Sequence, residues 1–180
     1  MITLFSKLSV IALAILFLSG CAGYHYASQV ELNKPLISAS GEALDGTPVT
    51  IPDDLLGQPA LLIFGYVHKS QFDIDRWLIG LDMTKVEIPI YELPAIKNPF
   101  AGWFSDRIDQ SMRDGIPREL WRDVITIYDD GDKVQRYTGN LTPKNGRIVL
   151  IDAQGNVVHF YDRGFSVAAL NELNDKIATL

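Results

Sequence analysis

Between Val67 and Ile74 the sequence places His68, Lys69, Ser70, Gln71 and Asp73 close together. At the start of a helix such a set could receive an anion or a hydrogen-bond acceptor from a partner, because the first-turn backbone amides point outward there. His68, Lys69 and Asp73 could also act as acid–base groups. The plainer reading of the same residues is a solvated loop in which Asp73 caps the helix. Ser70 and His68 stand two apart with no carboxylate placed to orient the imidazole, so a serine nucleophile is poorly supported. The three histidines, His25, His68 and His159, are scattered along the chain, and no metal site is expected from them. Asp129, Asp130 and Asp132 crowd around Gly131 but lack the later bidentate glutamate of a calcium loop, so a solvated turn is expected. A second candidate surface lies between Lys97 and Trp121, a stretch long for a simple helical crossover. Phe100, Trp103, Arg118 and Trp121 could meet a partner there, although aromatics at helical spacing also read as core.

The elements that must position these residues follow from apolar periodicity. Ala43 to Ile51 sets turn residues between apolar positions and predicts a small hairpin. Ala60 to Val67 is an almost continuous apolar run, the pattern of a strand buried on both faces. Ile74, Trp77, Leu78 and Leu81 recur at helical spacing after it. Val86 to Leu93 alternates and predicts a second strand ending near Pro94. Phe100, Trp103, Phe104, Ile108 and Met112 share one helical stripe, with Arg107, Asp109 and Gln110 largely off it. Gly115-Ile116-Pro117 ends that helix. Val124 to Tyr128 predicts a third strand, closed by the acidic turn. Arg147–Ile151 and Val157–Tyr161 flank a strong hairpin signal, and Ser166 caps a last helix with Val167, Leu170, Leu173 and Ile177 inward. Strands and helices in this order make an α/β sandwich with a mixed central sheet.

Composition narrows the function classes. Of the 180 residues, 16 are basic and 22 acidic. Excess acidity gives no general attraction to nucleic acid, and nucleic-acid binding is not expected. The N-terminus has the build of an export signal: Lys7, an apolar run from Leu8 to Leu18, then Ser19-Gly20-Cys21. The run is roughly ten residues, against about twenty for a membrane-spanning helix. Leu18-Ser19-Gly20-Cys21 resembles the lipobox of bacterial lipoproteins, in which the cysteine is acylated and becomes the mature N-terminus. The chain holds one cysteine, and it stands at that position. With Cys21 acylated, no thiol remains for a disulfide, a thiolate metal site or a redox cycle. The expected organisation is a signal peptide over residues 1–20, a lipidated N-terminus and tether over 21–40, and one domain over 41–180. Ala22 after the cysteine favours the outer membrane over the inner, by resemblance to enterobacterial sorting.

Two segments resemble known families. Leu61-Leu62-Ile63-Phe64-Gly65-Tyr66-Val67-His68 is similar to the strand entering the active site of thioredoxin-like proteins, and most of all to the Sco-type copper chaperones of cytochrome c oxidase. Those proteins continue with a Cys-x-x-x-Cys pair; the corresponding positions here are Lys69 and Asp73. The place of their copper-binding histidine falls near Lys144. Lysine and aspartate cannot replace two soft thiolates for Cu(I). Phe100-Ala101-Gly102-Trp103-Phe104, Ser111 to Pro117, Trp121, and Ile148 to Asp152 with Gly155 resemble the mitochondrial ATP-synthase assembly chaperone family, thioredoxin-fold relatives that also lack a cysteine pair. The resemblances imply a thioredoxin-like sandwich without cofactor. They imply a membrane-anchored, redox-inactive module that binds a protein partner in the bacterial envelope. Acid–base catalysis from the His68–Asp73 loop is the alternative.

Overall fold

The computed structural model describes residues 25–97 and 101–180, with side chains of the second segment described from Ser105. Cys21 and the whole of the expected signal therefore lie outside the described residues. The described residues form seven strands: β1 (Ala39–Ala43), β2 (Pro48–Ile51), β3 (Ala60–Gly65), β4 (Ile90–Pro94), β5 (Ile125–Thr126), β6 (Arg147–Ile151) and β7 (Val157–Tyr161). The helices are α1 (Gln71–Met83), α2 (Ala101–Gly115), α3 (Gly131–Thr138) and α4 (Val167–Ile177).

The main sheet has the order β4-β3-β6-β7, with β3 parallel to β4 and antiparallel to β6. A smaller sheet, β2-β1-β5, joins it where the parallel bridges Glu92↔Val124 and Ala95↔Ile127 set β5 beside β4. The apolar run of β3 is buried at every residue, and alternate side chains go to opposite faces. Leu61 and Ile63, with Ile148 and Leu150 of β6, meet Ile74, Trp77 and Leu81 of α1 and Leu170 and Leu173 of α4. Leu62 and Phe64 go to the other core, with Leu93, Val149, Ile151 and Val134 of α3. Trp77 anchors the first core, its ring edge-on to Tyr161 and Phe165 at 5.7 and 5.3 Å.

The hairpins, the two-face burial of β3, α1, and the Ser166 cap, whose Oγ accepts from the Ala169 amide, all stand where periodicity and turn chemistry place them. Several expectations are corrected. The acidic turn at 129–132 opens α3, a helix the sequence reading lacks. Gly131 is its first residue, pressed so close to the Ile96 carbonyl that a Cβ would sit 2.3 Å from that oxygen. Two of its three acids are paired rather than merely solvated: Asp132 bonds Lys97 and Arg136 at 2.6 Å, and Asp130 accepts from the Ser40 amide at 2.9 Å, while Asp129 is exposed as expected. The third strand shrinks to Ile125–Thr126 because Val124 and Ile127 make only bridge pairs. Val167 is exposed, not inward; Ala169 takes its place against the core beside Leu170. Residues 25–38, expected as tether, run along the domain: Gln29 and Leu36 donate backbone hydrogen bonds to Tyr137 and Gly155, and Leu36 is buried.

Candidate functional site

The loop leaving β3 turns once through His68–Ser70 and enters α1. Gly65 makes that turn possible, since a Cβ there would lie 2.9 Å from both Ser70 Oγ and Ile74 Cδ1. Ser70 is buried and donates to the Val67 carbonyl at 2.7 Å, so its hydroxyl holds the turn. His68 and Lys69 are exposed. Asp73 is buried and does not face solvent. Its Oδ2 accepts from the Gly146 amide at 2.9 Å, and its Oδ1 accepts from the Phe165 amide at 2.8 Å and from Arg76 at 2.8 Å. This carboxylate therefore ties the start of α1 to the loops before β6 and α4. It does not cap its own helix through a side-chain bond, and it stands apart from His68 and Lys69 as an acid–base group. Of the two positions that the resemblance matches to a cysteine pair, Lys69 is exposed and Asp73 is a buried structural group.

Next to this loop lies a groove of about 1330 Å³ that the sequence reading did not find. Its floor is one face of β4 and the residues leading to it, Ile88, Ile90 and Glu92, which alternate by strand periodicity. Gln71, Ile74 and Leu78 of α1 form one wall; Ile108 and Met112 of α2 form the other, with Leu120 beyond. His68, Ser70 and Gln71 line it, whereas Lys69 and Asp73 do not. Glu92 is the polar feature of the floor. Burial raises its carboxyl above the usual carboxylate range, a hydrogen bond from Gln71 opposes this, and the nearby Asp75 adds to it. Gln71 Nε2 lies 3.0 Å from Asp75 Oδ1 and 3.5 Å from Glu92 Oε2. The signal in the sequence was an acid standing in phase with Ile88 and Ile90.

The second candidate surface is partly structural. Asp109, expected off the buried stripe of α2, is buried and accepts from Tyr128 Oη at 2.7 Å. Burial and that anion together push the Tyr128 phenol well up. Trp121 donates from Nε1 to the Ile116 carbonyl at 2.9 Å, and the guanidiniums of Arg113 and Arg118 each lie 5.9 Å from its ring. Trp121 therefore locks the 116–123 segment, and Arg118 is exposed on it. The Phe100 and Trp103 side chains lie outside the described ones. Arg147, the first residue of β6, is fully buried: Nε donates to Gly139 O and Nη1 to Thr142 O and Asn145 O, and Tyr66 lies under the guanidinium at 4.8 Å. Burial pushes the Tyr66 phenol up to about 12. Among the described residues no group of three or more His, Cys, Asp and Glu is arranged to hold a metal, and no helix is long and apolar enough to cross a membrane.

The arrangement of a mixed four-stranded sheet, a helix leaving β3 at the loop, and a closing β-hairpin and helix can be set against solved structures. The chain is similar to a thiol peroxidase from Chromobacterium violaceum, with 12% identity over 87% of this chain and 92% of that one and a TM-score of 0.59. The fold is thioredoxin-like. Yeast Sco1 with copper bound gives a TM-score of 0.59 at 11% identity, covering 83% of this chain and 96% of that one. A SCO1/SenC family lipoprotein from Bacillus anthracis gives 0.57 at 12% identity, covering 86% and 99%. No protein-family model matches the sequence, and no curated protein matches it. Within this thioredoxin-like frame, His68–Asp73 forms the turn after β3 and the start of α1, and α2 stands across the groove from α1.

Proposed function

We propose that this protein is an envelope lipoprotein, anchored through acylated Cys21, that uses a thioredoxin-like domain to bind a protein partner without thiol chemistry. The observation that carries the reading is the state of Asp73. Its carboxylate is consumed by two backbone amides and Arg76, in the place where the Sco-type resemblance expects a second cysteine. A nucleophilic sulfur is required for disulfide exchange, and the chain's one cysteine lies far from this loop in sequence. The lipobox-like Leu18–Cys21 supports the anchor, as does the likeness to a SenC-type lipoprotein and to an exposed lipoprotein thioredoxin of Streptococcus pneumoniae. Ala22 favours the outer membrane. The groove beside the loop offers apolar surface of the kind that partners cover. His68 and Lys69 are exposed, and among the described residues neither is hydrogen-bonded or ion-paired to a carboxylate, which gives acid–base catalysis no geometric support.

The thiol-free part of the reading is tested by insulin disulfide reduction with the full chain, dithiothreitol as the electron source and a thioredoxin as control. No turnover above buffer is expected. Turnover that survives Cys21→Ser would overturn the reading.

A further inference from the structure

Helix α2 carries an apolar stripe that neither core absorbs. Ile108 and Met112 are half-buried and belong to neither of the two packed clusters, and both face the groove. Across it, Leu78, Ile88 and Ile90 are likewise only partly buried. Such facing apolar walls retain contact with water that an occupant would relieve. The charged residues around the groove are unbalanced: Asp75, Glu92 and Asp123 line it, against Arg107 among the described residues. Glu92 has one side-chain partner among the described residues, the 3.5 Å contact from Gln71. A half-buried carboxylate with so little compensation is a place where a cation or strong donor gains by binding.

We propose that this groove receives an apolar peptide segment of the partner carrying a lysine or arginine, with the cation set against Glu92. The proposal rests on the binding reading and gives its partner a chemistry. The volume exceeds the about 300–1,000 Å³ of small-ligand pockets and suits a stretch of polypeptide laid between two helices. The acidic floor disfavours fatty acids and phospholipids, whose own anions would meet Glu92 and Asp75. A wholly apolar occupant would desolvate Glu92 further and leave it unpaired. The pattern therefore selects a cation within an apolar sequence.

The test uses the full chain in lipid nanodiscs and fluorescent amphipathic peptides of about four helical turns, identical except for one central lysine or glutamate. Anisotropy is corrected for binding to empty nanodiscs. The lysine peptide is expected to bind about tenfold tighter than the glutamate peptide. Glu92→Gln should abolish that preference while leaving the thermal midpoint near the parent value. Met112→Arg, on the other wall, should weaken the lysine peptide more than the glutamate one. Equal binding of both peptides by the parent protein would overturn the proposal, as would a preference that survives Glu92→Gln. Displacement of both peptides by oleate, with oleate binding unchanged in Glu92→Gln, would assign the groove to an acyl chain instead. A dimer in sedimentation that the lysine peptide does not dissociate, and that blocks its binding, would assign it to a second copy. Failure of the peptide preference with insulin reduction still absent rejects the groove's occupant and leaves the thiol-free reading standing.

Discussion

The Asp73 carboxylate joins the start of α1 to the loops before β6 and α4 through the Gly146 and Phe165 amides and Arg76. In the sequence it is a carboxylate in a polar loop, equally fit for capping, binding or proton transfer. What it does depends on Gly146 and Phe165, both more than seventy positions away, whose amides converge on it. No local pattern announces that convergence. Asp73→Ala leaves two largely buried N–H groups without an acceptor, at about 1–3 kcal/mol each. Urea unfolding should therefore show a loss of about 3 kcal/mol, whereas Lys69→Ala, on an exposed side chain, should leave the midpoint nearly unchanged. His159 makes a second residue-scale prediction. It is buried on β7, its Nε2 has no hydrogen-bond partner among the described residues, and burial lowers its pKa, with Glu172 opposing and Lys176 assisting. The unfolded chain thus takes up a proton more readily than the folded one. Stability should be fully retained above the unfolded histidine value of about 6.5 and should fall as the pH drops below it. Thermal midpoints between pH 5 and 8 should show this decline, and His159→Phe should flatten it; an equal decline in the variant would contradict the assignment.

At the scale of elements, the parts with a strong local signal were legible. The apolar run of β3, the helical spacing of Ile74, Trp77 and Leu81, the Asp152–Gly155 turn and the Ser166 cap each state their structure in a few adjacent residues. Helix α3 was not legible, because its polar sequence Gly131-Asp132-Lys133 hides a short helix whose inward side chains are Val134, Gln135 and Thr138. The groove was invisible for a different reason. It exists only because α2 stands off β4, and that spacing depends on contacts between distant segments. Asp109 is one of them, holding α2 to Tyr128 and Thr126. Asp109→Ala removes the acceptor and should cost about 1–3 kcal/mol. It should also loosen α2 specifically, so that amides of residues 105–115 exchange with deuterium at least about tenfold faster while those of β3 and β6 keep their protection. Uniform acceleration across the sheet would show that Asp109 supports the whole domain rather than this helix.

For the whole molecule, the two ends of the β3–β6 pair present different surfaces. The loop 66–70, the groove and the 116–123 segment gather toward one side, whereas the Asp152–Asn156 turn lies at the far end of the strands, beside the start of β3. The proposed anchor at Cys21 belongs to this scale too. Metabolic labelling with an alkyne palmitate should mark the parent protein, and Cys21→Ser should lose the label and release the domain from the membrane fraction. Retention of the label in that variant would place the lipid elsewhere. The central claim, that the loop-and-groove side meets one protein partner in the envelope, is tested most directly by photocrosslinking in cells from Gln71, from Arg118, and from Gln154 at the far end as control. The account predicts one dominant adduct shared by Gln71 and Arg118 and absent from Gln154, lost from Gln71 in Glu92→Gln. No adduct from Gln71 and Arg118 in a folded, lipidated protein, or the same adducts from Gln154, would contradict it.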